Sequence, residues 1–178
     1  MRFVVEDGTG LPLANAFIDV QYVDNYAEEM GRSDLWESLF DANGDSMTQE
    51  AIYLKKQQAI IQASRWLSAN YVWLGTIANA QQGLAFPRNG IRNYPEPAFP
   101  YQIKEATASA AIRVMSGTIL AKDAGRGGKI KSVKAGPVAV VYDDNAPTGT
   151  IYTEIENLIR DLAVGLGGTE FITTGVRI

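Results

Sequence analysis

The sequence contains no cysteine and no histidine in its 178 residues. A disulfide, a zinc site built from Cys and His ligands, and a nucleophile paired with a histidine base each need one of these residues, so all three are excluded. The groups that remain for catalysis are carboxylates, Lys, Tyr and Ser/Thr, and they do not fall into a known catalytic spacing. We therefore predict that the chain is not an enzyme and holds no cofactor or metal.

Long apolar runs and a net positive charge are also missing. No run approaches the roughly 20 residues that a membrane-spanning helix needs, and the start, MRFVVEDGTG, lacks the apolar segment of a signal peptide. We expect a protein that is made in the cytoplasm and contacts no membrane. The net charge is -4 and the pI is near 4.9, so the surface as a whole is not expected to attract nucleic acid.

The composition is that of a globular chain. Hydrophobic residues make up 46% and charged residues 20%, which is too apolar for disorder throughout. We predict a mainly α fold, a small bundle of four to five helices with one β-hairpin and extended N- and C-terminal arms. A single domain is expected over residues 1–178, with the helical body at about 15–164, the hairpin at about 129–142 and the C-terminal arm at 165–178.

Capping residues and helical periodicity predict where the helices lie. Asp19 is a candidate N-cap for a short one-faced helix, and Gly31 can end that helix. A capping box formed by Ser46 and Gln49 predicts a longer helix at about 47–70. Three further segments have helical patterns, and the second of them, with small or apolar residues on nearly every face, should be the most buried: SDLWESLF, YQIKEATASAAIRVMSGTIL and IYTEIENLIRDLAVGLGG.

A basic segment leads into the predicted hairpin. From 122 to 134 the only acid is Asp123, and the cations are Lys122, Arg126, Lys129, Lys131 and Lys134. KIKSVK alternates apolar and basic residues, AGP supplies a turn, and VAVVYD is β-branched and aromatic. Three interpretations stay open, and residue types alone favour the first: an edge strand kept soluble by lysines, a contact with nucleic-acid phosphates, or a strand that pairs with a neighbouring subunit.

Three segments, in order over most of the chain, carry a resemblance to a known family. They are VEDGTGLPLANAFIDV, RWLSANYVWLGTIANAQQGLAFPRNG and GGKIKSVKAGPVAVVY. Together they resemble tailed-phage proteins often labelled DnaT-like single-stranded-DNA-binding domain proteins, which look like head-to-tail adaptor (connector) proteins of the phage neck. Phe86 stands where Trp is common in that family. The strongest signatures are Glu6-Asp7-Gly8-Thr9-Gly10, Gln82-x-Leu84-x-Phe86-Pro87-Arg88-x-Gly90, and Gly136-Pro137.

The resemblance implies a structural virion protein at the head-tail junction, made in the cytoplasm of the host bacterium. Such a protein assembles as a homo-oligomeric ring, usually a dodecamer, beneath the portal. Its partners would be copies of itself, the portal protein and the stopper or tail proteins that follow, and DNA would be met only by passage through the lumen. The family label supplies an alternative of another class, a single-stranded-DNA-binding protein, which needs a basic groove with exposed aromatic side chains.

Two sets of residues are candidates for function. The hairpin and the C-terminal arm are expected to contact other subunits or the portal, because their sequences are extended and edge-forming: Lys129, Lys131, Lys134, Val138, Val140, Tyr142, Phe171, Ile172, Val176 and Ile178. The other set is expected to lock the long loop between the helices onto the bundle: Gln82, Leu84, Phe86, Pro87, Arg88 and Gly90.

Overall fold

The structure is a computed structural model that describes residues 2–37, 46–120 and 152–164 with their side chains, and 132–135 and 138–141 as backbone strands. Predictions on other residues, including those for Lys129, Lys131, Tyr142 and the C-terminal arm, lie outside the described part. Within it the chain forms five helices and three two-stranded sheets. The predicted mainly α fold with a hairpin is confirmed.

The helix α4 lies at the centre of the bundle. It packs against each of the other helices, and nine of its residues are buried, most of them Ala, Ser or Thr. Small side chains let neighbouring helices approach closely, which explains why this helix is the most buried, as its sequence predicts. The helices of the described chain are α1 Val20–Glu29, α2 Ser33–Trp36, α3 Gln49–Asn70, α4 Tyr101–Met115 and α5 Thr153–Ile159.

The first helix begins and ends as predicted, whereas the start of α3 differs. The Asp19 carboxylate accepts a hydrogen bond from the Tyr22 amide at 2.8 Å, and the chain leaves α1 through Gly31 at φ +63°. The predicted capping box at Ser46 is wrong, because the N-cap of α3 is Thr48, whose hydroxyl accepts from the Ala51 amide at 3.2 Å. Ser and Thr are both good N-cap residues and the preference between them is small, so two candidates this close cannot be separated by sequence.

Two helices are shorter than their sequence patterns. The helix α4 ends at Met115, because Gly117 takes a left-handed conformation with φ +88° that stops the helix. The pattern that predicts α5 extends to Gly165, but the helix ends at Ile159. Residues 163–164 pair as a strand instead, which removes them from the helix.

The three sheets are all antiparallel pairs. β1 (Val72–Trp73) pairs with β6 (Ala163–Val164), β2 (Thr76–Ile77) with β3 (Arg88–Asn89), and β4 (Ser132–Ala135) with β5 (Val138–Val141). The pair β4–β5 is the predicted hairpin, and three candidate interface residues lie in its strands: Lys134, Val138 and Val140. The two other sheets tie the long loop after α3 to itself and to the segment after α5.

A continuous row of aromatic rings crosses the core. Neighbouring ring centroids are 5.1 to 6.4 Å apart, mostly edge to face, in the order Phe17, Phe86, Trp73, Tyr71, Trp66 and Tyr152. The row joins the start of the chain, the long loop, α3 and α5 into one core. Trp36 is also buried, so all three tryptophans serve packing.

Candidate functional site

The signature Glu6-Asp7-Gly8-Thr9-Gly10 forms a loop closed around its own carboxylate. Oε1 of Glu6 accepts the Gly8 and Gly10 amides at 2.9 and 2.8 Å, and Oε2 accepts the Leu11 amide at 3.0 Å. Gly8 and Gly10 have φ of +97° and +81°, which side chains other than glycine rarely adopt. The residue Glu6 is only 3% exposed, so this carboxylate is used inside the fold and is not available to a ligand.

This N-terminal loop rests on the long loop that follows α3. Nδ2 of Asn79 donates to the Gly10 carbonyl at 2.9 Å, and the Gly83 amide donates to the Leu11 carbonyl at 3.1 Å. A Cβ on Gly10 would lie 2.9 Å from Cβ of Asn79. Glycine is therefore required here for the close approach, and two signatures far apart in sequence meet at this point.

The Gln82 side chain folds the long loop back on itself. Its Oε1 accepts the Asn79 amide at 3.0 Å, while Nε2 donates to the carbonyls of Leu84 and Pro87 at 2.7 and 3.1 Å. All of these partners lie within the loop, and the Phe86-Pro87 peptide bond in it is cis. The amide supplies one acceptor and two donors, so a carboxylate or a hydroxyl could not replace it.

Arg88 holds a second turn of the same loop through carbonyl oxygens. Its Nε donates to Leu74 at 2.7 Å, and its two terminal nitrogens donate to Ala85 at 3.1 Å and Gly75 at 2.7 Å. Burial lowers the pKa of the Arg88 guanidinium, although arginine stays charged in proteins. The cation is thus directed at backbone carbonyls. We call the set Glu6, Gly10, Asn79, Gln82 and Arg88 the polar loop cluster.

The other predicted loop residues attach this cluster to the helices. Leu84 and Phe86 are buried in the core, and the Ala85 amide donates to the Ser68 hydroxyl of α3 at 3.2 Å. Gly90 has φ +76°, and its amide donates to the Glu96 carboxylate at 2.9 Å. Sequence reasoning did not single out Asn79, Ser68 or Glu96, because no local pattern marks a residue whose partner lies elsewhere in the chain.

A second carboxylate joins three elements by ion pairs. Oε1 of Glu154 lies 2.8 Å from Nη1 of Arg32, in the turn between α1 and α2, and Oε2 lies 2.7 Å from Nη2 of Arg113 on α4. Burial alone would raise the pKa of the Glu154 carboxyl, but the hydrogen bonds and charges of the two arginines outweigh burial and lower the pKa below its usual value. We call these three residues the Glu154 clasp.

Other cations of the described helices also face protein groups. Nζ of Lys56 lies 2.7 Å from the Asp24 carboxylate and 5.2 Å from the centre of the Trp36 ring. Nζ of Lys104 lies 5.0 Å from the centre of the Phe99 ring. Several acids at the end of α1 and around α2 are exposed instead: Glu28, Glu29, Asp34 and Glu37. The described helical surface is therefore more acidic than basic.

Neither a cluster of carboxylates nor a membrane-spanning helix occurs in the part of the chain that the structure describes. No three Asp or Glu residues there come close enough together to hold a metal ion. None of the helices described above has the length and apolar character that crossing a bilayer requires.

Comparison with known protein families gives one result. Residues 1–177 match the family described as "Putative DnaT-like ssDNA binding protein". No curated protein matches the chain, and no solved structure matches it. The resemblance to proteins carrying this label is confirmed. The description names single-stranded DNA and not a phage neck, so it supports the DNA-binding alternative more than the adaptor role.

Proposed function

We propose, from the premise that the chain belongs to the DnaT-like ssDNA-binding protein family, that it is a structural virion protein of a tailed phage. It forms a ring of identical subunits under the portal and joins the head to the tail, and DNA passes through the lumen. The observation that supports this role is that the tryptophans are buried and that most of the cations whose contacts are described are bound to groups of the protein itself. The surface that remains is acidic and suited to assembly.

The placement of the aromatic side chains argues for assembly rather than for DNA binding by the body. Proteins that bind single strands without sequence preference stack the bases on exposed rings next to a basic groove. Here Trp36, Trp66 and Trp73 are buried. Two exposed rings, Tyr53 and Tyr101, lie on different helices, α3 and α4.

The placement of the cations supports the same role. Arg32 and Arg113 are bound to Glu154, Lys56 is bound to Asp24, and Arg88 is bound to backbone carbonyls. A phosphate would have to displace these partners, which costs more than binding a free cation. An acidic body also lets DNA slide through a lumen, because few phosphate contacts have to be broken.

A ring needs edges that pair with a neighbour, and the hairpin β4–β5 offers them. In the described residues each of its strands pairs with the other strand alone, so each strand has an outer edge. Unpaired strand edges are common sites of pairing between chains. A contact in which two different surfaces of identical subunits meet closes into a ring when the rotation between subunits fits.

The experiment that tests this role is the mass of the protein measured alone and mixed with the portal protein of the same phage, by light scattering and by native mass spectrometry. We expect a complex in which many copies of the chain are bound per portal ring. An unrelated acidic protein of similar size is the control. If the mixture shows only the separate masses of the chain and the portal protein, the adaptor role is contradicted.

The second candidate function is binding of single-stranded DNA, which the family description favours directly. The segment that would contact DNA is the basic one from 122 to 134, because its five cations are opposed by one acid. Phosphate contacts of this kind do not depend on sequence and weaken as salt rises.

A further inference from the structure

One exposed surface of the described body is apolar where a solvated surface would be polar. Val72 and Val164 are Cα partners across the sheet β1–β6 and are 70% and 50% exposed. The next cross-strand pair, Trp73 and Ala163, is buried. The sheet therefore has apolar side chains on its inner and its outer face, which is typical of a sheet whose outer face is covered by a partner.

The surface continues along the chain after β1. Leu74 follows Val72 at the two-residue spacing that places side chains on one face, its amide donates to the Leu162 carbonyl at 2.9 Å, and it is 39% exposed. We call Val72, Leu74 and Val164 the β1–β6 patch. Its backbone is fixed by the polar loop cluster, since Arg88 donates to the carbonyls of Leu74 and Gly75 at 2.7 Å each. A binding surface held rigidly in advance loses little conformational entropy when a partner docks.

The sequence that follows β6 has the chemistry of a partner for this patch. It reads GLGGTEFITTGVRI from residue 165, with three glycines in its first four residues. Ile172, Thr174, Val176 and Ile178 then recur at period two, the spacing that places side chains on one face of a strand. Such a segment adds to a sheet through its backbone and fits an apolar surface with alternate side chains.

We infer that residues 169–178 of one copy bind the β1–β6 patch of a neighbouring copy, with Ile172, Val176 and Ile178 against Val72 and Val164. This inference rests on the proposed ring and names a contact that builds it. The patch is exposed in the described part of a single copy, and in a ring the segment of the neighbouring copy is within reach of it. Eight residues lead from Val164 to Ile172 and can span at most about 27 Å, which exceeds the radius of gyration of roughly 15 Å for a body of this size.

The geometry of exchange suits a ring. Each copy gives its segment to one neighbour and receives a segment from the other, so donor and acceptor surfaces differ and the contact is heterologous. The donor segment leaves the body at Val164, inside the acceptor patch of its own copy. Each copy therefore donates its segment from the same region in which it receives the segment of a neighbour, and the copies are linked one after another.

The absence of cysteine from the chain allows a direct test by disulfide trapping. Full-length protein carrying Val72→Cys is mixed with full-length protein carrying Val176→Cys under mild oxidation, with and without the portal protein. A disulfide needs Cα atoms about 4.4–6.8 Å apart, so the mixed dimer reports contact. The matched control replaces Val72→Cys by Leu13→Cys, because Leu13 is apolar, 79% exposed and outside the patch.

We expect the mixed Val72→Cys and Val176→Cys dimer in several-fold higher yield than the Leu13→Cys control. If the Val72→Cys and Leu13→Cys mixtures give equal yields of mixed dimer both with and without the portal protein, the inference is overturned. A chain carrying both substitutions that forms only an internal disulfide, even when diluted with unmodified protein, overturns it as well. The two proposals fail separately: association with the portal without the disulfide removes only this contact, and the disulfide without portal association removes only the adaptor role.

Discussion

The polar loop cluster and the Glu154 clasp both use one carboxylate to gather several donors, but their surroundings differ. Glu6 is 3% exposed and accepts three backbone amides from its own loop. The Glu154 side chain is 26% exposed and binds two arginines from separate elements. Buried amides that lose their acceptor stay unsatisfied, whereas a half-exposed arginine that loses its partner turns to water. We therefore expect the more buried carboxylate, Glu6, to contribute more to the free energy of unfolding than Glu154, and burial rather than the number of hydrogen bonds to decide the difference.

The largest expected effect is at Glu6. The substitution Glu6→Ala leaves the buried amide of Gly10 and the half-buried amides of Gly8 and Leu11 without their acceptor. We expect it to lower the free energy of unfolding by about 3 kcal/mol, because one buried unsatisfied amide costs about 1–3 kcal/mol and the two half-buried amides add a smaller amount. Urea unfolding followed by tryptophan fluorescence measures the change.

Asp7→Ala is the matched control for that substitution. Asp7 is the neighbouring acid, it is exposed, and its carboxylate accepts hydrogen bonds only from Thr9, which is exposed as well. We expect its unfolding curve to overlay that of the unchanged protein. If the Glu6→Ala curve also overlays the curve of the unchanged protein, the three amides find other acceptors, and burial does not decide how much each carboxylate contributes to stability.

A smaller effect is expected at Glu154, and it depends on pH. Because the pKa of this carboxyl is lowered from 4.5 in the folded protein, its contribution is present above the unfolded pKa and is lost as the pH falls through the folded pKa. We expect Glu154→Gln to cost about 1 kcal/mol at neutral pH. The cost should shrink toward zero in acid, as measured by unfolding at a series of pH values.

Glu156→Gln is the control for the pH series, because the two acids share α5. Burial raises the pKa of Glu156, so the charged form opposes folding and stability is lost as the pH rises through the folded pKa. At neutral pH the substitution should therefore leave the protein as stable or slightly more stable. A loss of stability in both variants with the same pH profile would contradict the assignment of the clasp to Glu154.

Sequence signals were sufficient where they are local. The end of α1 just before Gly31 and the hairpin β4–β5 follow from residues next to each other in the chain. The sheet β1–β6 could not be predicted, because two-residue strands carry no periodicity and Val72 pairs with Val164, far along the chain. A strand this short forms only because the packed helices bring its partner to it.

The residues of the candidate site also fall into those that the local sequence predicts and those that it does not. The motif from Gln82 to Gly90 is recognisable as a loop-fixing sequence because Gly, Pro and polar residues are concentrated there. Its partner Asn79 and the long-range clasp of Arg32 with Glu154 leave no local trace, since an exposed arginine and a paired one look alike in a sequence.

The affinity of the chain for a single-stranded oligonucleotide at physiological salt decides whether it acts by assembly or by binding DNA. The unchanged protein is compared with K129E/K131E/K134E and with the charge-matched control R2E/R92E/R160E, whose three arginines are exposed on the body. We predict binding no tighter than the non-specific range of roughly 10⁻⁴ to 10⁻⁶ M for all three proteins. Tight binding by a monomer that is lost in K129E/K131E/K134E and kept in R2E/R92E/R160E would contradict the adaptor role and favour binding of single-stranded DNA.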